Sequence, residues 1–68
     1  MYANIYYNGS LDHENMHATE SVIRAEAEAM KRESPDAEIT VWQTDDKSFA
    51  TYNRWDDIPE DRAETYTL

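Results

Sequence analysis

His13, Glu14 and His17, in the run His13-Glu14-Asn15-Met16-His17, are the residues of this chain whose types and spacing could do chemistry. Two histidines four positions apart on a helix share one face, where both imidazoles can reach a single Zn²⁺. The glutamate between them can then act as general base on a metal-bound water. A catalytic zinc also needs a third protein ligand, and no histidine follows His17. Glu20 lies seven residues past His13, on roughly the same helical face. It could contribute only from that same helix, which leaves the ion exposed.

The five-residue run resembles the HExxH signature of zinc-dependent metallopeptidases. That resemblance implies His13 and His17 as ligands and Glu14 as base, and it extends no further. The Gly and third His of one branch, and the glutamate on a following helix of another, have no counterpart. The run is therefore read as the solvent-exposed first turn of a helix. No catalytic residue, metal ligand or cofactor is assigned, and a zinc-dependent hydrolase remains a remote alternative. Other catalytic sets are missing too. There is no cysteine, Ser10, Ser21, Ser34 and Ser48 lack a GxSxG context, and the single glycine precludes a phosphate-cradling loop.

Charge is the stronger signal. Fifteen acids against six bases give a net charge of −9 over 68 residues. Such a field repels nucleic acid and anionic membrane and attracts basic protein surfaces. Seven of the acids fall between positions 45 and 64: Asp45, Asp46, Asp56, Asp57, Glu60, Asp61 and Glu64, opposed by Lys47, Arg54 and Arg62. Ordinary solvated faces mix both signs, so this imbalance marks residues 45–64 as a candidate docking surface. Tyr6, Trp42 and Tyr52 are a second candidate, because Tyr and Trp are enriched at interface hot spots.

The elements that must position these residues follow from periodicity. Residues 2–8 alternate as a strand and end in the turn signal Asn8-Gly9-Ser10. A helix is expected from Asp12 to Glu33, capped by Asp12 and stapled by Leu11 and Met16. Thr19 is a competing cap that would leave residues 11–18 as loop. Met16, Val22, Ile23, Ala27 and Met30 form the apolar stripe, and Glu20–Arg24 and Glu28–Arg32 are spaced to pair. Residues 38–44 and 48–54 read as a β-hairpin around Asp45-Asp46-Lys47. The tail holds a helical turn near Pro59 and, at Thr65-Tyr66-Thr67, either a fourth strand or a trailing end. Strand parity puts Ala3, Ile5, Tyr7, Ile39, Val41 and Phe49 on the helix side. Tyr2, Tyr6, Thr40, Trp42, Ala50 and Tyr52 take the other side, partly covered by Trp55, Ile58 and Tyr66.

The expected class is a single α+β domain of two layers, β-α-β-β, with one helix on a small three-stranded or four-stranded sheet. No leader or transmembrane segment is read from the sequence, and zero cysteines suit the cytosol. In size and charge the chain resembles phage-encoded DNA-mimic proteins of the anti-restriction or anti-CRISPR kind, although no motif carries that resemblance. It implies a small inhibitor or adaptor that occupies a basic surface on a nucleic-acid-binding protein, without touching nucleic acid or membrane itself. The alternative is a module that dimerises through Tyr6, Trp42 and Tyr52.

Overall fold

A computed structural model describes residues 1–50, 58 and 60–68. The chain forms β1 (Tyr2–Tyr7), β2 (Ser10–His17), α1 (Glu20–Glu33), β3 (Ile39–Thr44), a short α2 (Lys47–Ala50), a 3-10 turn (Glu60–Arg62) and β4 (Glu64–Thr67). The four strands make one antiparallel sheet in the order β2-β1-β3-β4, with α1 packed on it. The expected α+β class therefore holds, and the fourth strand is the Thr65-Tyr66-Thr67 segment.

β1 and β2 are joined at Asn8-Gly9, whose φ angles are +49° and +82°. A two-residue hairpin of the primed type needs positive φ at both central residues, which Asn-Gly supplies at least cost. The Asn8 side chain also ties the hairpin to the start of β3, where its Oδ1 accepts from the Glu38 N–H at 2.8 Å.

This hairpin corrects the expected helix start. Residues 10–17 are strand, and α1 begins at Glu20 behind Thr19, whose Oγ1 accepts from the Val22 N–H at 3.3 Å. Asp12 is not a cap, and Leu11 and Met16 are not a helical staple. As a strand, residues 10–17 pair along β1 and satisfy the backbone groups of its outer edge as well as their own, which a helix over the same residues would leave open. α1 ends at Ser34, and Lys31 Nζ donates to the Ala37 carbonyl at 2.6 Å.

The core lies between α1 and one sheet face. Ile23 and Ala27 pack on Ala3, Ile5, Ile39, Val41 and Ala37, with Met1, Met16, Met30, Tyr66 and Leu68 around the margin. Fully burying each isoleucine contributes roughly 1.5–3 kcal/mol. Val22 sits one step round the helix and is 51% exposed, so it is not part of the stripe.

The opposite face carries a smaller cluster in which Ile58 covers Tyr2 and Trp42 together with Ala63. Covering by Ile58 was expected. Tyr66 instead pairs with Val41 and joins the helix side, where the Arg24 guanidinium lies 4.5 Å from its ring centre. The stretch expected as a third strand starts as helix α2, which Asp46 caps by accepting from the Ser48 N–H at 2.9 Å and its Oγ at 2.7 Å. Phe49 and Ala50 belong to α2, so the strand parity assigned to them does not apply. Tyr52 and Trp55 lie outside the described residues. No helix among the described residues is long and apolar enough to cross a membrane.

Candidate functional site

His13 and His17 are both on β2, and they face opposite sides of the sheet. In a regular strand, residues four apart share a face. Here Ala3 pairs with Met16 and Ile5 with His13, so Glu14 and Asn15 together oppose the single residue Asn4. One extra residue in the strand reverses the parity beyond it. Asn15 takes φ +53°, and its N–H donates to Asn4 Oδ1 at 2.8 Å. Asn4 is only 2% exposed, so this bond fixes the bulge from within the sheet.

His17 consequently stacks on Tyr2, with ring centres 4.3 Å apart and planes 8° apart, on the face away from α1. His13 faces α1, and its Nε2 is 3.3 Å from Glu26 Oε1. Its Nδ1 approaches Asp12 Oδ2 at 2.8 Å, a charge contact without hydrogen-bond alignment. The two imidazoles cannot meet on one ion. Among the described residues no group of three or more His, Asp or Glu side chains is placed to hold a metal.

The carboxylates of residues 45–64 are gathered differently. Asp45 follows β3, Asp61 sits in the 3-10 turn and Glu64 opens β4, yet all three line one depression of about 190 Å³ at that end of the sheet. Gln43, Thr44, Arg62, Ala63 and Met1 complete its wall. The Thr44 hydroxyl joins the segments by donating to the Arg62 carbonyl at 3.1 Å and accepting from the Asp46 N–H at 3.1 Å. Asp46 itself is committed to capping α2. Glu60 opens the 3-10 turn. Asp56 and Asp57 lie outside the described residues.

Gln43 organises the floor of the site. Along β3, Ile39, Val41 and Gln43 all face α1, and Gln43 is 1% exposed. Its Nε2 donates to Glu20 Oε1 at 3.1 Å and to Glu64 Oε2 at 3.2 Å. Two carboxylates require the donor end of the amide, so the orientation is compelled by chemistry. The carbonyl oxygen, Gln43 Oε1, is left buried without a partner among the described residues.

Glu20 thus joins the acidic site from α1, although its spacing predicts a pair with Arg24. Arg24 turns to Tyr66 and does not pair with Glu20. The sequence signal was a polar Gln at a core-facing strand position. Such a residue must find partners, and carboxylates were the acceptors at hand.

Tyr66 shares this neighbourhood. Its hydroxyl is buried without a partner among the described residues. Burial raises its pKa above the usual value of 10.0, Arg24 opposes the rise, and Glu20 and Glu28 add to it.

Tyr6 and Trp42 line a separate, mainly apolar groove with Gly9 and Thr40, on the face away from α1. Of the expected aromatic trio, the third member, Tyr52, is outside the described residues. Comparison with protein-family models, curated proteins and solved structures gave no match.

Proposed function

We propose that this protein is a binding module that occupies a basic surface on a partner protein, as an inhibitor or adaptor of the nucleic-acid-mimic kind. One observation carries the reading: Asp45, Asp61 and Glu64 come from three segments to line a single depression, with Glu20 drawn to its edge by Gln43. The depression has room for an ammonium or guanidinium head. Around it the −9 charge of the whole chain steers a basic partner and repels nucleic acid and anionic lipid. Carboxylates take the place of phosphates, so nucleic acid and this protein compete for the same Arg and Lys side chains. On this reading it acts in the cytosol and needs no cofactor.

The test begins with the partner captured from the native host at low salt and then purified. Its affinity is measured for the wild type and for Asp45→Asn/Asp61→Asn/Glu64→Gln. Exposed ion pairs contribute about 0.2–1 kcal/mol each, so the triple variant should bind roughly 3- to 150-fold more weakly, with a shallower salt dependence. Binding that survives both the substitutions and high salt would remove the proposal.

The open groove at Tyr6 and Trp42 favours a second reading, self-association through that face. Sedimentation distinguishes it: a dimer that ignores salt but dissociates in Trp42→Ala would support this alternative.

A further inference from the structure

The sheet ends in two edges that differ in kind. β2 is interrupted by two register shifts against β1 and carries the left-handed Asn15, so its outer edge cannot offer a regular row of backbone groups. β4 pairs with β3 from Glu64 to Thr67 without a shift.

The ladder fixes which β4 groups point outward. The Leu68 N–H donates to the Ile39 carbonyl at 2.8 Å, and the register continues through Val41–Tyr66 and Gln43–Glu64. Antiparallel ladders alternate bonded and non-bonded pairs. Glu64, Tyr66 and Leu68 therefore turn their backbone groups toward β3. Thr65 and Thr67 turn theirs away, and these have no partner among the described residues.

Side chains beside this edge are sorted by face. On the helix side stand Glu64 and Tyr66, with Glu20 and Glu28 of α1 close by and Arg24 laid on the Tyr66 ring. On the other side are Thr65 and Thr67, and Thr67 Oγ1 is 3.2 Å from Thr40 Oγ1. We propose that the open β4 edge is a strand-addition site for an extended Lys/Arg-alternating segment of the partner. The Thr65 and Thr67 backbone groups take up the segment's N–H and C=O groups, and its cations reach Glu20, Glu28 and Glu64. Main-chain bonds supply affinity in this mode, and alternate side chains supply specificity. Charge selects the occupant, because three carboxylates against the single guanidinium of Arg24 flank the edge on the side where alternate residues of an added strand project. The inference rests on the basic-partner reading and assigns that partner's backbone conformation.

The probe is a blocked short peptide alternating Lys with Val and Thr, compared with the same peptide N-methylated on the bonds that would face β4. Both carry equal charge. Amide NMR of the native protein should show Thr65 and Thr67 shifted, with their amide exchange slowed, by the first peptide. The N-methylated peptide should bind at least about tenfold more weakly. Thr65→Pro, which removes an outward donor and no β3–β4 bond, should give a similar loss. The peptide pair keeps the test valid if that variant unfolds.

Equal binding of both peptides, weakened by Glu20→Gln/Glu64→Gln, would overturn strand addition and leave the acidic-surface reading standing. Binding indifferent to those two substitutions and to salt would overturn both. No binding of either peptide overturns strand addition. A dimer in sedimentation that Thr65→Pro dissociates would give the edge to a second copy of this chain, and that too overturns the proposal.

Discussion

Replacing Gln43 by methionine sets two opposing terms against each other at the floor of the acidic site. The amide makes two bonds to carboxylates, and bonds to charged groups contribute about 1.5–3 kcal/mol each in favourable settings. Here they are long, at 3.1 and 3.2 Å, and both glutamates are exposed. Water can replace the lost donor at each, so the retained contribution falls to about 1 kcal/mol in total. Against it stands the buried, unpartnered Gln43 Oε1, which costs about 1–3 kcal/mol. Methionine keeps nearly the same volume, and volume-conserving swaps cost under about 1.5 kcal/mol. The terms nearly cancel, so Gln43→Met should stay within about 1 kcal/mol of wild type. Gln43→Ala, which leaves a hole among buried residues, should lose about 2 kcal/mol or more. Urea unfolding followed by circular dichroism measures both, with the m-value as the control for two-state behaviour. Gln43→Met should also gain more stability from added salt than the wild type, because Glu20 and Glu64 lose the donor between them. A loss above roughly 2.5 kcal/mol for Gln43→Met at unchanged m would show that the amide bonds outweigh the orphaned oxygen, and the reasoning fails.

Three further outcomes are expected. Gly9→Ala meets open space but must hold φ near +82°, so it should cost about 1–2 kcal/mol from backbone strain alone, and Gly9→Asn clearly less, by thermal melting. Tyr66, with its pKa raised by burial, stabilises the fold below pH 10 and loses that contribution as pH rises through the folded value. Alkaline unfolding should therefore begin later in Tyr66→Phe, and identical pH profiles would contradict the buried hydroxyl. In equilibrium dialysis against zinc, wild type and His13→Ala should bind alike. A stoichiometric ion lost in both His13→Ala and His17→Ala would refute their placement on opposite faces.

The class of the fold was legible because its strongest periodic signals were real. Tyr2–Tyr7, Ile39–Thr44 and the Ile23-Ala27-Met30 stripe all appear where alternation and helical spacing put them. The turn at Asn8-Gly9 was legible too, but although Asn-Gly is the strongest short-range hairpin signal, β2 did not read as its second arm. Ser10–His17 shows little alternation because two register shifts break its parity. An apolar count over that strand matches no simple period, and Asp12 offered a competing cap. α2 misled in the opposite sense. Ser48–Ala50 is too short for any period, and Asp46, read as a turn residue, is a cap.

The acidic site shows why a local charge count is only half of such a reading. Asp45, Asp61 and Glu64 were visible as a run, yet Asp46 in the same run is spent on capping, and Glu20, outside it, belongs to the site. What decides membership is the sheet. Gln43 faces inward by parity, must bond something, and finds the first turn of α1 on one side and the start of β4 on the other. The chain thereby brings like charges together through a neutral donor, where a cation would have offset one of them. A basic residue at position 43 would also satisfy both glutamates, and it would weaken the negative field at this end of the sheet. Glutamine holds the carboxylates in place and leaves their charge for a partner, at the cost of one buried oxygen without a bond.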